Sequence, residues 1–237
     1  MKTLILGASG ATGRLVVSQL VDRNIQIKVV VRAESTVLNT YEDNNLVEII
    51  RGNIDDFDIN KMTNLLSDCS TVVCCLGHNI SLKGIYGPPH KLVYNLVKKI
   101  CTVAELSKSP KRFILMSTTA YTNKSIGETL KGKDAFIFSL LKAFLPPHKD
   151  NMLSGDYLVK QLGSGSNLQW VAVRPDTLMN KPEVEDYEIF ETIQRNPLSD
   201  PGHTSRIQVA HFISDLIEDD NLWQMWVYKT PVIYSKE

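Results

Sequence analysis

The sequence predicts an α/β fold, a doubly wound parallel sheet with helices on both faces, from three observations. Short runs rich in β-branched residues alternate with runs of helical periodicity along most of the 237 residues. Several of the strand-like runs are almost wholly apolar, which is typical of strands covered on both faces. A glycine-rich turn, Gly7–Gly13, joins the first strand-like run to the first helical one.

The predicted elements follow one another in a regular order. Strands are expected at 2–6, 26–31, 46–51, 71–76, 112–116, 168–173 and 226–234, and Pro231 either weakens the last one or places it at an edge. Helices are expected at 12–22, 59–66, 92–107, 150–163 and 207–218. We expect a single domain over 1–237, with 122–149 as a candidate lid and 176–237 as a small C-terminal substrate lobe.

The turn Gly7-Ala-Ser-Gly-Ala-Thr-Gly13 has the spacing of a phosphate cradle. In this spacing the first glycine permits a tight turn, the second lets backbone approach a pyrophosphate, and the third lets the helix pack on the strand. Backbone N–H groups and the positive helix end then face the anion. The sequence therefore predicts dinucleotide binding, with a glycine turn that holds no ligand as the alternative. The predicted residues are Gly7, Ser9, Gly10, Ala11, Thr12 and Gly13.

Ligands of open parallel sheets bind beyond the carboxyl ends of the strands, which extends the predicted site. The further cofactor-binding residues are Arg32, Asn53, Ile54, Leu76, Gly77, Ser117, Thr118 and Pro175. An acidic residue after the second strand would bind the ribose 2′-OH of NAD, whereas an arginine accommodates the 2′-phosphate of NADP. Arg32 therefore favours NADP (NADPH) over NAD, although Glu34 would weaken this preference and Arg32 as a solvated surface cation is the alternative.

Two polar residues at strand ends are the catalytic candidates, His78 and Ser117. His78 would titrate near neutrality, and the Ser117 hydroxyl would bond the nicotinamide amide or an oxygen of the acceptor. The alternative is that His78 caps a loop and that Ser117 satisfies nearby backbone groups. Thr118, Tyr121 and Asp176 are lower-ranked candidates for the pocket.

Composition narrows the choice of partners. Lys+Arg and Asp+Glu balance at 26 each, so net charge favours neither nucleic acid nor an anionic membrane, and we expect a small-molecule substrate. The 4 cysteines show no metal-ligand spacing with histidines, which predicts no metal and buried thiols in a reducing compartment. We expect a cytoplasmic protein, since no signal-peptide layout and no apolar stretch of about 18 residues is present. A homodimer stays open.

The apolar run 135–145, which Pro146-Pro147 ends, is too short to span a bilayer. It is interpreted as a packed helix, with a substrate lid and a dimer or membrane-surface contact as alternatives.

Motifs along the chain resemble those of a known group of proteins. Gly7–Gly13, Gly52-Asn-Ile-Asp55, Met116-Ser-Thr-Thr119 and Trp170-Val-Ala-Val-Arg-Pro175 occur in order. Together they resemble the atypical short-chain dehydrogenase/reductase group, which includes NAD(P)-binding, NmrA-like and epimerase-like proteins. Three stretches are similar to its subgroup of biliverdin-IXβ and flavin reductases; they are 146–150, 157–162 and 168–175.

The resemblance implies a Rossmann-like fold and specific contacts. It implies that the turn 52–55 contacts adenine and that the ends of the fourth and fifth strands flank the nicotinamide ribose. Many relatives begin this turn with Gly-Asp, whereas this chain has Gly52-Asn53. An asparagine can still donate to adenine and accept from it, so binding survives the change.

A departure from the family pattern leaves the reaction open. Catalytic members of the wider family use a Tyr-x-x-x-Lys pair, but Tyr121 with Lys124 and Tyr157 with Lys160 are each one residue short of it. We therefore expect first an NADPH-dependent reductase of a small planar acceptor such as a flavin, a quinone or a tetrapyrrole-like molecule. A non-catalytic NADP(H)-binding regulator is the second hypothesis. A sugar-nucleotide epimerase or dehydratase is the third, disfavoured by the missing pair and the small lobe.

Overall fold

The computed structural model describes residues 2–77, 86–87, 89–107, 109, 111–129 and 132–236. The strands in these ranges are β1 (Lys2–Leu6), β2 (Ile27–Val31), β3 (Val47–Arg51), β4 (Cys69–Cys74), β5 (Lys111–Met116), β6 (Leu168–Pro175), β7 (Thr177–Met179), β8 (Tyr187–Phe190), β9 (His203–Ser205) and β10 (Val232–Ser235). The helices are α1 (Gly13–Asp22), α2 (Ile59–Leu66), α3 (Leu92–Leu106), α4 (Gly132–Phe144), α5 (Pro146–Asp156), α6 (Arg206–Glu218) and α7 (Asp220–Trp226).

The main sheet has 8 strands in the order β3-β2-β1-β4-β5-β6-β10-β8. Neighbouring strands in it are parallel, except that β8 runs antiparallel to β10. The chain passes outward from β1 to β3 and then crosses to β4 on the other side of β1, so the strand order reverses between β1 and β4. Open α/β sheets bind their ligands beside such a reversal, at the carboxyl ends of the strands.

Helices cover both faces of this sheet, as the sequence predicts. One core lies under α2 and α3 and contains the buried side chains of Met62 and Ile100. The other lies under α1 and α6 and contains those of Val16, Leu20 and Phe212. The two cores confirm a Rossmann-like α/β fold with a mostly parallel sheet.

Two buried lysine side chains lie at the amino ends of the strands β2 and β5. The Lys28 ammonium, at the start of β2, donates to the Leu65 carbonyl at 3.4 Å and to an Asp68 carboxylate oxygen at 2.6 Å. The Lys111 ammonium, at the start of β5, donates to the Leu66 carbonyl at 3.0 Å. Both lysines thus contact the carbonyl end of α2, where positive charge complements the helix dipole.

Two predicted boundaries near the chain's second half are wrong. The predicted strand at 226–234 begins only at Val232, because Asp219 accepts the N–H of Asn221 at 2.8 Å and starts α7 there. The predicted helix at 150–163 begins earlier, at Pro146, a residue well suited to the first helical turn. After Asp156 it continues as a wider π-helical segment, Tyr157–Leu162.

The C-terminal segment 176–237, predicted as a substrate lobe, contributes to the main sheet as well. Its strands β10 and β8 extend the sheet beyond β6, whereas β7 and β9 form a separate two-stranded sheet. The predicted edge position of the last strand is wrong, because β10 pairs with β6 on one side and with β8 on the other. A role of this segment in substrate binding, and of 122–149 as a lid, stays a prediction. Among the helices in the described ranges, none is long and apolar enough to cross a membrane.

Candidate functional site

The carboxyl ends of the parallel strands meet along one edge of the sheet, where hydrogen bonds fix the turns that follow them. The N–H of Gly52, after β3, donates to the carbonyl of Val31 at the end of β2 at 2.8 Å. The N–H of Ser117, after β5, donates to the Val173 carbonyl of β6 at 2.7 Å. The strand-end residues that the sequence assigns to one site therefore do share one edge, apart from His78, which lies outside the described residues.

The first and third glycines of the turn between β1 and α1 have no room for a side chain. Gly7 has φ +81°, and a Cβ there would lie 2.7 Å from the carbonyl carbon of Cys75. A Cβ on Gly13 would lie 2.1 Å from the Gly7 carbonyl oxygen. Only glycine at both positions lets α1 begin directly against the turn, as the phosphate cradle requires.

This turn presents backbone donors to an anion. The Gly10 N–H is bound to the Gly7 carbonyl at 2.9 Å. The N–H groups of Ala11, Thr12 and Gly13 have no acceptor in the part of the chain that the structure describes. Adjacent N–H groups at the positive end of a helix form a ready anion site, so the cradle fits the pyrophosphate of a dinucleotide.

Arg32 follows β2 and is exposed, and its guanidinium makes no hydrogen bond or ion pair with the residues that the structure describes. The neighbouring arginine behaves differently. Arg51, opposite Val31 in β3, donates to the Ser35 carbonyl at 2.8 Å and pairs with the Glu42 carboxylate. Of these two arginines, Arg32 is the one whose guanidinium has no hydrogen-bond or ion-pair partner among the described residues, so it could bind a phosphate.

The turn after β3 is held by hydrogen bonds from a helix and carries the exposed side chain of Asn53. The Lys99 ammonium from α3 donates to the carbonyls of Asp55 at 3.0 Å and Phe57 at 2.9 Å. Asn53 is exposed, whereas the Ile54 side chain is buried in the core. The Asn53 side-chain oxygen accepts the Asp55 N–H at 3.4 Å. Contact of Asn53 with adenine stays a prediction, and any contact by Ile54 would come from its backbone.

Ser117 is buried at the end of β5, and its hydroxyl donates to the Asn151 side-chain oxygen at 3.2 Å. Because its proton is donated to Asn151, this oxygen could act towards a ligand only as a hydrogen-bond acceptor. The sequence analysis missed Asn151, since a lone asparagine within a helix carries no signal of its tertiary partner. Thr118 accepts the Ala120 N–H at 3.2 Å and so stabilises the turn beside Ser117.

Neither of the two candidate Tyr–Lys pairs forms a contact in the structure. Lys160 binds Asp156 at 2.8 Å instead of Tyr157, whose ring packs against Tyr94. The buried Tyr121 phenol donates to the same Asp156 carboxylate at 3.4 Å.

Both tyrosines stay protonated at neutral pH. Burial, together with the Asp156 charge, raises the pKa of Tyr121, and burial also raises the pKa of Tyr157. A tyrosine activated by a neighbouring lysine has the opposite shift, so the environment of these phenols does not match that of a Tyr–Lys pair.

Arg174, in the Arg174-Pro175 motif, forms hydrogen bonds that link the end of β6 to neighbouring segments of the chain. Arg174 is fully buried, and its guanidinium makes two hydrogen bonds to the Glu128 carboxylate, at 2.6 and 2.9 Å. It also donates to the carbonyls of Tyr121 at 3.0 Å and Thr230 at 2.7 Å. A buried ion pair with this many partners fixes the loop after β5 against the end of β6.

The remaining candidates are tied into local structure. The Pro175 carbonyl accepts the Thr119 N–H at 3.1 Å, which joins the ends of β5 and β6. Asp176 accepts the N–H groups of Thr177 at 2.7 Å and Gly202 at 3.3 Å, and burial raises its pKa. Their contact with a ligand stays a prediction, as it does for Leu76 and Gly77 after β4.

Comparison with known families and curated proteins gives two matches. The profile of a family described as NAD(P)H-binding matches residues 7–220. An uncharacterized chloroplastic protein of Arabidopsis thaliana is 24% identical over 182 residues, which cover 76% of this chain and 60% of that protein. The chain thus spans less than two thirds of the length of this relative.

Solved structures share the fold at low identity. ChuY, an anaerobillin reductase from Escherichia coli O157:H7, is 14% identical with a TM-score of 0.69, and the match covers 100% of this chain and 98% of that one. A short-chain dehydrogenase/reductase from Veillonella parvula in complex with NADP is 16% identical with a TM-score of 0.69, and the match covers 99% and 94%. At these identities the likeness establishes the fold.

Proposed function

Because the chain belongs to the NAD(P)H-binding family, we propose that it is an NADPH-dependent oxidoreductase that reduces a small planar acceptor. The acceptor class is that of a flavin, a quinone or a tetrapyrrole-like molecule. The proposal rests on two features that occur together at the carboxyl edge of the sheet. The backbone N–H groups of residues 11–13 have no acceptor among the described residues, and the exposed guanidinium of Arg32 has no hydrogen-bond partner there. The relatives in complex with NADP and with anaerobillin reductase activity support the same assignment.

Different residues of the crevice would bind different parts of the cofactor. The cradle Gly7–Gly13 would hold the pyrophosphate, and Arg32 the 2′-phosphate through charge-assisted hydrogen bonds. Asn53 would hydrogen-bond adenine. When bound, NADPH supplies the hydride, while the protein supplies position and electrostatics.

Ser117 positions rather than protonates. The Ser117 hydroxyl donates its proton to the Asn151 side-chain oxygen, with 3.2 Å between the two oxygens. The Ser117 oxygen would therefore accept a hydrogen bond from an amide N–H of the ligand. A hydrogen bond of this kind fixes the rotation of a flat ring, which is how a site aligns two planar reactants.

The acceptors named above do not require a protein acid. The Tyr121 phenol donates to Asp156, and Tyr157 makes no hydrogen bond to Lys160, which binds Asp156; the lack of a Tyr–Lys pair disfavours sugar-nucleotide epimerase and dehydratase chemistry. A flavin or a quinone takes its proton from water after hydride transfer. His78 stays a candidate catalytic residue from the sequence.

The same observation supports a second candidate function. A chain that binds NADPH without a Tyr–Lys pair can act as a regulator that senses NADP(H) and carries out no reaction. The two functions make the same binding prediction and differ only in turnover.

Turnover with an acceptor panel separates these functions. The purified protein is mixed with NADPH or NADH and with FMN, a quinone or biliverdin, and the loss of reduced nicotinamide absorbance is followed. The reductase predicts oxidation above background with NADPH and at least one acceptor, and its absence from a Gly13→Ala variant. Tight NADPH binding without turnover on any acceptor would instead establish the regulator.

A further inference from the structure

Helix α4 carries a row of large apolar side chains that face solvent. Phe136 is 66% exposed and Phe144 68%, and Ile137 and Leu140 are each 41% exposed. Successive residues of a helix are rotated by about 100°, which places these four side chains within a stripe of about 100°. An apolar stripe of this width normally lies against another part of the molecule.

The buried side of α4 is elsewhere on the helix. Phe138 is 7% exposed and packs against the His148 ring at a centroid distance of 5.5 Å. Its position is about 100° beyond Ile137 and well away from the Phe136, Leu140 and Phe144 row. The helix therefore packs on the rest of the protein through the side that carries Phe138. The four exposed side chains named above lie on another side, and we call them the α4 stripe.

In the sequence, residues 124–149, which include the α4 stripe, carry more lysines than acidic residues, although the chain as a whole has net charge +0. The lysines of this segment are Lys124, Lys131, Lys133, Lys142 and Lys149. Its acids are Glu128 and Asp134, and the Glu128 charge is already neutralised by Arg174. Lys124 and Lys149, near the two ends of the segment, are exposed.

We propose that the α4 stripe docks the protein on a membrane surface rich in anionic phospholipid. Aromatic and aliphatic side chains on one helix face, with lysines in the same segment, match the pattern of helices that lie in the headgroup region. Each lysine near such a surface adds electrostatic attraction to the apolar insertion. The proposal concerns where the protein acts and does not depend on the proposed reductase activity.

A second copy of the chain fits this surface less well. Two facing stripes would bring two basic segments together, which charge repulsion opposes. A helix of 13 residues is about 20 Å long and about 10 Å wide. The area of one face of such a helix is far smaller than the ~800 Å² per partner that a stable interface buries. A flat lipid surface demands no such area.

Flotation with lipid vesicles tests the proposal. The full chain is mixed with vesicles of phosphatidylcholine alone, or with about one-third phosphatidylglycerol, and the floating fraction is measured. We expect binding to the anionic vesicles that weakens in high salt, because the Debye length falls from ~10 Å at 0.1 M to about 3 Å at 1 M. The double variant Phe136→Gln/Phe144→Gln should bind about tenfold less or weaker still, since two apolar insertions are lost.

A matched variant removes exposed apolar residues elsewhere. Leu106 is 67% exposed and Met225 59%, so Leu106→Gln/Met225→Gln loses similar apolar surface outside the stripe and should bind as the unaltered protein does. Lys149→Glu should weaken binding to anionic vesicles only. Equal binding by both double variants, or no binding to either vesicle type, would overturn the proposal. A dimer that Phe136→Gln/Phe144→Gln converts to monomer, without vesicle binding, would assign the stripe to self-association instead.

Discussion

At the amino end of β2 the ammonium of Lys28 is buried and bound to the Leu65 carbonyl and to Asp68. Just beyond the carboxyl end of the same strand, the guanidinium of Arg32 is exposed and has no partner in the described part of the chain. The same contrast holds for backbone donors, since the N–H groups at 11–13 lack acceptors at the carboxyl edge. The two charged groups that flank β2 thus differ: Lys28 stabilises the fold, whereas the guanidinium of Arg32 makes no hydrogen bond to the described residues and could bind a ligand.

The largest expected effect is on the carboxyl edge. In Gly13→Ala the new Cβ meets the Gly7 carbonyl oxygen at 2.1 Å, so the turn must open and its N–H groups no longer converge. We expect NADPH affinity to fall about 100-fold or more, since each hydrogen bond to a charged group contributes about 1.5–3 kcal/mol. Isothermal titration calorimetry measures it. Gly165→Ala, where nothing lies within 4 Å, is the control and should bind normally.

At the amino edge a comparable substitution should change stability and leave binding intact. Lys28→Met removes the donor to the Leu65 carbonyl and the partner of Asp68, and an unsatisfied buried group costs about 1–3 kcal/mol. Urea unfolding should show this loss in the free energy of unfolding, while NADPH affinity stays unchanged. Lys124→Met, at an exposed site, serves as control. A Lys28→Met protein of full stability that binds NADPH weakly would contradict the division between the two edges.

Ser117 should behave as part of the ligand edge although it is buried. Ser117→Ala removes one neutral hydrogen bond to the ligand and leaves Asn151 without its donor. We expect kcat/KM with NADPH to fall about tenfold, on the scale of about 0.5–1.5 kcal/mol for such a bond. Ser125→Ala, at an exposed position, should leave the kinetics unchanged. Unaltered steady-state kinetics in Ser117→Ala would remove this residue from the site.

The smallest effect concerns the pH dependence of the amino edge. Burial acts to raise the pKa of Asp68, but hydrogen bonds from Lys28 and Lys2 outweigh it and hold this pKa well below its usual range. A depressed pKa contributes stability above the unfolded value of about 3.9, and that stability is lost as pH falls below it. The stability difference between the unaltered protein and Asp68→Asn should therefore be present at neutral pH and shrink below pH ~4. A difference independent of pH would show that the ion pairs do not act through Asp68.

How far the sequence predicts this molecule depends on the range of the interactions involved. The Gly7–Gly13 turn and the strand ends are local features, and their glycine spacing and apolar runs predict them well. Contacts between distant segments leave no local trace, so the Arg174–Glu128 pair and the Ser117–Asn151 bond appear only in the structure.

Capping explains an element that the periodicity missed. The sequence predicts a strand from Trp226 onward, but the Asp219 side chain starts a helix that runs to Trp226, and the strand begins only at Val232. The acceptor pocket is predicted least well, because it depends on loops whose shape no short motif specifies.

The preference between NADPH and NADH tests the free guanidinium of Arg32 most directly. Dissociation constants for both nucleotides are measured for the unaltered protein, Arg32→Glu and Arg51→Gln. We expect the unaltered protein to prefer NADPH by about 10- to 100-fold, on the scale of about 1.5–3 kcal/mol for hydrogen bonds to a charged group. Arg32→Glu should abolish this preference. Arg51→Gln should keep it, because that guanidinium is already bound by Ser35 and Glu42. An unchanged preference in Arg32→Glu would contradict the assignment of the 2′-phosphate to the carboxyl edge.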